Sequence, residues 1–159
     1  MPRAHDRSQR TPAGDAVSRL VIRIFQLNGL LTSVGDELAK PAGQTSARWQ
    51  VLAAVEDQPL TVAQIARALR LMRQSVQRVA DLLERDGLAA YENNPAHRRA
   101  KLLRLTPAGR AALQSIQDAQ RAWADSLGKA VGEAELKRAT ATLDRLLDAA
   151  LRERDAARG

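Results

Sequence analysis

Cysteine is absent from the 159 residues, which excludes disulfides, thiol redox sensing and thiolate metal sites. Histidine is nearly absent: His5 and His97 are the only two, too sparse for a metal site. No paired carboxylates, nucleophile elbow or glycine-rich phosphate loop accompany them, so neither an enzyme nor a bound cofactor is expected. No apolar run approaches the ~18 residues that a membrane span needs, and the N-terminus lacks an apolar signal core. The expected location is cytoplasmic. Aromatic residues make up 3% of the chain against 45% hydrophobic residues, which implies an aliphatic core of Leu, Val, Ile and Ala. The length suits one domain, alone or with helical extensions.

What is present is concentrated in residues 60–106. Thr61 stands as an N-cap whose hydroxyl can accept from the Gln64 N–H, while Gln64 reaches back to the Thr61 N–H; Leu60 and Ile65 have the spacing of a hydrophobic staple. A short helix over about 62–69 follows. After a turn of about three residues, Val76, Val79, Ala80 and Leu83 recur at the helical period. Gly87 is placed to end this second helix in a left-handed C-cap. Two short helices joined so tightly form a helix-turn-helix. The apolar stripe turns Arg73, Gln74, Ser75, Gln77 and Arg78 outward, where a recognition helix presents its first turns to base edges. Taken alone, such a face also suits any solvated helix.

The context adds to it. After Gly87 come LAAYE, the polar loop NNPAHRR and AKLLRL, two strand-like runs around a loop. Thr106 then caps another helix with Pro107 at its first position. Helix, turn, helix, hairpin, helix is a winged helix. Its charge is distinctive: residues 61–110 hold ten basic and four acidic side chains, whereas residues 1–60 hold seven and six and residues 111–159 eight and eight. A basic excess confined to one module marks a nucleic-acid face. Arginine placed there suits bidentate contacts to phosphate or guanine.

Through TVAQIARAL, RQSVQRVADLLERDGL and NPAHRRAKLLRLTPAG, residues 45–110 resemble the MarR family of bacterial transcription regulators. The wing with its LTPAG exit is the most specific part. The resemblance implies a mostly helical homodimer that binds palindromic operator DNA, commonly as a repressor released by a small, often aromatic, ligand. Recognition-helix contacts would come from Arg73, Gln74, Ser75, Gln77 and Arg78, with Ser75 and Gln77 better suited to bases. Wing contacts would come from Asn94, His97, Arg98, Arg99 and Lys101, the two arginines entering or flanking the minor groove. In this family the ligand pocket lies where dimer helices meet the winged helix, which nominates Arg48 and Trp49; for Trp49, core packing is the competing reading.

Three positions depart from the family pattern. Arg70 stands where glycine is usual in the turn, Met72 where a Ser or Thr cap is usual, and His97 where an acidic residue commonly precedes the arginine pair. A missing cap costs about 1 kcal/mol, and a non-glycine residue at positive φ adds strain.

The rest of the chain frames this module. Residues 1–14 lack apolar periodicity and are expected to be a disordered arm. From Asp15 to about Lys40, a stripe including Val17, Leu20 and Ile24 predicts a long helix, interrupted by Gly29 and Gly35. Thr45 caps a helix through Arg48 to Val55. Residues 107–152 read as two helices around a break at 128–132, with stripes containing Leu113, Ile116 and Trp123, then Leu143, Leu146 and Leu147. A lone winged helix has too little surface to cover three such stripes. Residues 15–44 and 107–152 are therefore expected to form a dimerisation region, using Val17, Leu20, Ile24, Leu113, Ile116, Trp123, Leu143, Leu146 and Leu147. The winged helix spans 45–106, and 153–159 should fray. The fold class is thus mainly α, with a small β-hairpin wing. The expected partners are double-stranded operator DNA, a second copy of the chain and a small-molecule effector. A sequence-tolerant architectural DNA-binding protein, or a winged helix used for protein interaction, are the alternatives.

Overall fold

The computed structural model describes residues 10–97 and 99–157; the arm up to residue 9, Arg98 and the last two residues lie outside that range. Ten elements follow in order: α1 (Pro12–Ala39), a 3-10 turn (Lys40–Ala42), α2 (Ser46–Ala54), β1 (Leu60–Thr61), α3 (Val62–Leu69), α4 (Arg73–Arg85), β2 (Ala89–Glu92), β3 (Leu102–Leu105), α5 (Pro107–Val131) and α6 (Glu133–Ala156). The chain forms two compact units, one ending at Ile116 and one beginning at Gln117.

In the first unit the core is the aliphatic one the composition implies. Val51, Leu52, Ile65, Val76, Leu83 and Leu103 are almost wholly buried, and Trp49 and Tyr91 pack against this cluster from its edge. The α4 stripe is where the periodicity put it, with Val76, Ala80 and Leu83 buried. The wing closes as a three-stranded antiparallel sheet in the order β1-β3-β2. Leu103 of β3 pairs with Tyr91 on one side and Leu60 on the other. The strand β1 escaped the sequence reading because two residues are too few to show an alternating period.

Local chemistry explains the joints. The Thr61–Gln64 capping box forms as expected: the Gln64 N–H donates to Thr61 Oγ1 at 3.2 Å, and the Thr61 N–H to Gln64 Oε1 at 2.8 Å. Helix α4 ends on Gly87 at φ 73°, with the Gly87 N–H donating to the Glu84 carbonyl and the Leu88 N–H to the Leu83 carbonyl, a Schellman pair. The LTPAG exit is a second lock. Thr106 Oγ1 donates to the Gly87 carbonyl at 2.6 Å and accepts from the Gly109 N–H at 3.0 Å. Helix α5 passes so close to the link between α4 and β2 that a Cβ at Gly109 would lie 1.8 Å from the Leu88 carbonyl oxygen.

Several boundaries differ from expectation. Helix α1 begins at Pro12 rather than near Asp15, because the Thr11 hydroxyl caps the Gly14 N–H and Pro12 takes the first turn. Gly128 does not interrupt α5; the break falls at Gly132 alone, at φ 93°. Helix α6 continues to Ala156, past the expected fraying point. Of the two glycines expected to interrupt α1, Gly35 is a close approach, since a Cβ there would lie 2.8 Å from Ser46 Oγ, whereas Gly29 meets nothing within 4 Å.

Two residues assigned to the dimer interface belong elsewhere. Leu113 and Ile116 are buried within the single chain, at 1% and 0% exposure. The first turns of α5 supply their apolar face to the chain's own core, so these side chains are not available to a partner. Val17, Leu20, Leu143 and Leu147 are exposed, and Ile24, Trp123 and Leu146 are half-buried.

Candidate nucleic-acid interface

The turn before α4 is built against local preference. Arg70 adopts φ 53°, and among the described residues it is the only non-glycine at positive φ. It holds because the Leu71 N–H donates to the Ala66 carbonyl at 2.9 Å and the Arg70 N–H to the Arg67 carbonyl at 3.3 Å, the helix-ending bonds that glycine normally supports. Met72 is the N-cap of α4 and makes no side-chain capping bond. Arg70 thus takes the positive φ and Met72 the uncapped position that the sequence implies, yet α4 begins directly after the three-residue turn, at Arg73, neither displaced nor shortened at its start.

From that start, Arg73, Gln74, Ser75 and Arg78 are exposed, and Gln77 is half-buried. Gln77 is engaged inside the protein. Its amide nitrogen donates to Asp81 Oδ1 at 2.7 Å and to the Tyr91 hydroxyl at 2.9 Å, and that hydroxyl donates to Asp81 Oδ1 at 2.9 Å. Because the carboxylate can only accept, it fixes the amide with its nitrogen toward Asp81 and Tyr91 and leaves Oε1 outside the triangle. The triangle ties α4 to wing strand β2. It also pushes the Tyr91 pKa well above its ordinary 10.0, first through burial and then through the hydrogen bond to Asp81.

The wing is braced at both ends. Asn94 Oδ1 accepts from the Ala96 N–H at 3.0 Å, forming an Asx turn, and Arg104 pairs with Glu92 across the strands at 3.0 Å. Asn94 thus shapes the loop, while His97, Arg99 and Lys101 are exposed; Arg98 lies outside the described residues. A groove of about 320 Å³ brings Arg73, Gln77, Arg99 and Lys101 together with the start of α3 and Tyr91. Among the described residues, the ion pairs around the winged helix are Arg48–Asp86, Arg85–Asp86 and Arg104–Glu92. Arg73, Arg78, Arg99 and Lys101 are outside all three and free to meet an anion.

The nominated pocket residues have structural partners. The Arg48 guanidinium donates to the Asp86 carboxylate and, at 3.3 Å, to the Leu82 carbonyl, joining α2 to the C-terminus of α4. Arg48 and then Arg85 hold the Asp86 carboxyl below its ordinary 3.8. Trp49 packs against the core cluster. Sequence reasoning missed the Arg48–Asp86 pair and the Gln77–Asp81–Tyr91 triangle, since each joins residues distant in the chain; the spacing of Gln77 and Asp81 on one helical face was the only local signal.

A helix-turn-helix with a three-stranded wing and unpaired cations on one surface is the architecture of winged-helix regulators, and the MarR family's model matches residues 42–100. The chain belongs to the MarR family. Its family and fold are those of transcription regulators, not enzymes. The chain is 44% identical over 140 residues to the uncharacterized protein Rv2011c of Mycobacterium tuberculosis, covering 88% of this chain and 98% of the relative. It is 28% identical over 138 residues to the transcriptional activatory protein BadR of Rhodopseudomonas palustris, covering 84% of this chain and 77% of BadR. Among solved structures, the M. tuberculosis regulator MOSR, crystallised with DNA, matches with a TM-score of 0.68 and 25% identity, covering 82% of this chain and 96% of MOSR. No helix among the described residues is long and apolar enough to cross a membrane.

Proposed function

We propose that the protein acts as a homodimer on a pseudo-palindromic operator, with one recognition helix in each of two successive major grooves about 34 Å apart. The observation that carries this reading is the groove between α4 and the wing, where Arg73, Arg99 and Lys101 converge and, among the described residues, none of them is in an ion pair. Arg73, Gln74, Ser75 and Arg78 meet bases and phosphates; Gln77 offers its carbonyl oxygen. Arg99 and Lys101 follow the backbone beside the minor groove, with the exposed His97 on the same loop. Dimerisation is supported by what the single chain leaves uncovered. Phe25 is 70% exposed, and α6 has no buried residue. An open cleft of about 650 Å³ in the second unit, lined by Ala124, Gly128, Leu136 and Ala141 and by charged side chains including Asp125, Lys129 and Glu133, is suited to receive an amphipathic helix.

The regulator represses by occupying its operator, and a small ligand that binds one spacing of the recognition helices better than the other releases it. Arg48 and Trp49 border that transition by holding α2 to the core rather than by offering free groups to the ligand. Activation is the second reading, favoured by the similarity to BadR, an activator. Selection of binding sites from a random duplex pool tests the core of the proposal. A recovered consensus with two inverted half-sites centred about one helical turn apart is expected; recovery of unrelated sequences would point to an architectural binder.

A further inference from the structure

Among the described residues, the exposed large apolar side chains fall in α1, in the second half of α5, along α6 and at one other place, Leu71–Met72. The helices have a second copy of the chain to cover them. Leu71 and Met72 lie at the tip of the helix-turn-helix, at 45% and 76% exposure, between the exposed Arg70 and Arg73. Met72 also occupies the N-cap of α4, where it leaves the first-turn N–H groups without a side-chain acceptor. A residue that forgoes local stabilisation and exposes a long apolar chain marks a functional constraint rather than a folding one.

Resting on the operator-binding reading, we infer that Met72 is a base-reading residue whose thioether side chain packs on the C5-methyl of a thymine in the major groove. The first turn of a recognition helix is the part that reaches base edges, and the thymine methyl is the apolar feature of that groove. The flanking arginines fix the occupant as DNA, since they would anchor the adjacent phosphates. An unbranched, polarizable side chain suits a contact with one methyl group.

The test uses the full-length protein and its selected operator, with each thymine of the half-site replaced in turn by uracil, which removes only the methyl. Anisotropy titrations compare wild type, M72A and M72S. Wild type should lose about fourfold in affinity per half-site at one position, and both variants should be indifferent to uracil there. M72S separates reading from folding: it restores a capping hydroxyl, so its thermal midpoint should rise while its preference for thymine disappears. Equal uracil sensitivity in wild type and both variants, or no sensitive thymine on an operator that is bound specifically, would overturn this inference and leave the regulator reading standing. Failure to prefer any sequence would overturn both.

Discussion

The winged helix and the terminal helices use the same aliphatic vocabulary and arrive at opposite ends. Between α2 and β3, large apolar residues such as Leu52, Ile65, Leu83 and Leu103 are fully buried. In α1 and α6, Phe25, Ile22, Leu143 and Leu147 face outward. Charge divides the regions the same way, with the basic excess confined to residues 61–110 and balance in 111–159. One region completes its own core and spends its surface on cations. The other leaves apolar side chains on its surface, the face that the proposed dimer covers. The difference shows that amphipathic periodicity reports that a face is apolar without reporting which chain covers it. Leu113 and Ile116 make the point, since they look like the interface residues of the same helix and are core.

The contrast can be broken first at its tightest joint. Gly109→Ala would drive a Cβ into the Leu88 carbonyl, and we expect it to cost upwards of about 3 kcal/mol in chemical denaturation; a near-neutral result would mean that α5 does not pack against the link between α4 and β2 as described. Next, Leu52→Ala should cost about 3 kcal/mol at any protein concentration. Phe25→Glu should instead leave the winged-helix core intact and abolish the concentration dependence of the melting temperature, with a monomer in sedimentation velocity. If Phe25→Glu unfolds the isolated chain, the two regions are not distinct in the way argued.

Much of this was legible beforehand, for reasons visible at particular residues. Thr61 with Gln64, Gly87 and Thr106–Pro107 act through bonds to near neighbours, so their spacing in the chain is their spacing in space. The cationic groove was legible because charge confined to a short segment survives any folding of that segment. What was hidden depends on distant partners. Arg48 finds Asp86 and Gln77 finds Tyr91 only once the helices have packed, and these contacts turn nominated ligand- and base-contacting groups into braces.

Smaller effects sharpen the account within the winged helix. Because the folded Asp86 carboxyl titrates below its ordinary 3.8, its contribution is present above the unfolded value and lost as pH falls through the folded one. Arg48→Met should therefore flatten the loss of stability on acidification below about pH 4; an unchanged acid limb would show that the pair is not coupled to folding. The smallest signal is spectroscopic. Tyr91 is the sole tyrosine, so the tyrosinate absorbance titrates one group. Its raised value means that the contribution is intact below the unfolded value of 10.0 and is lost as pH rises toward the folded one. Ionisation in the folded protein should begin above the ordinary range and move back toward it in Asp81→Ala. A wild-type midpoint near 10 would remove the triangle from the account.

The central claim is that a partner-completed scaffold carries two copies of one cationic reading head. The most direct measurement is fluorescence anisotropy on the DNA upstream of the protein's own gene and on a random duplex of equal length, at two salt concentrations, for wild type and Arg99→Ala. Tight binding to the upstream duplex alone, at one dimer per duplex, is expected, with the salt slope reduced in Arg99→Ala by about one for each wing that engages a phosphate. Equal binding of wild type to both duplexes, or a salt slope that Arg99→Ala leaves unchanged, would contradict it.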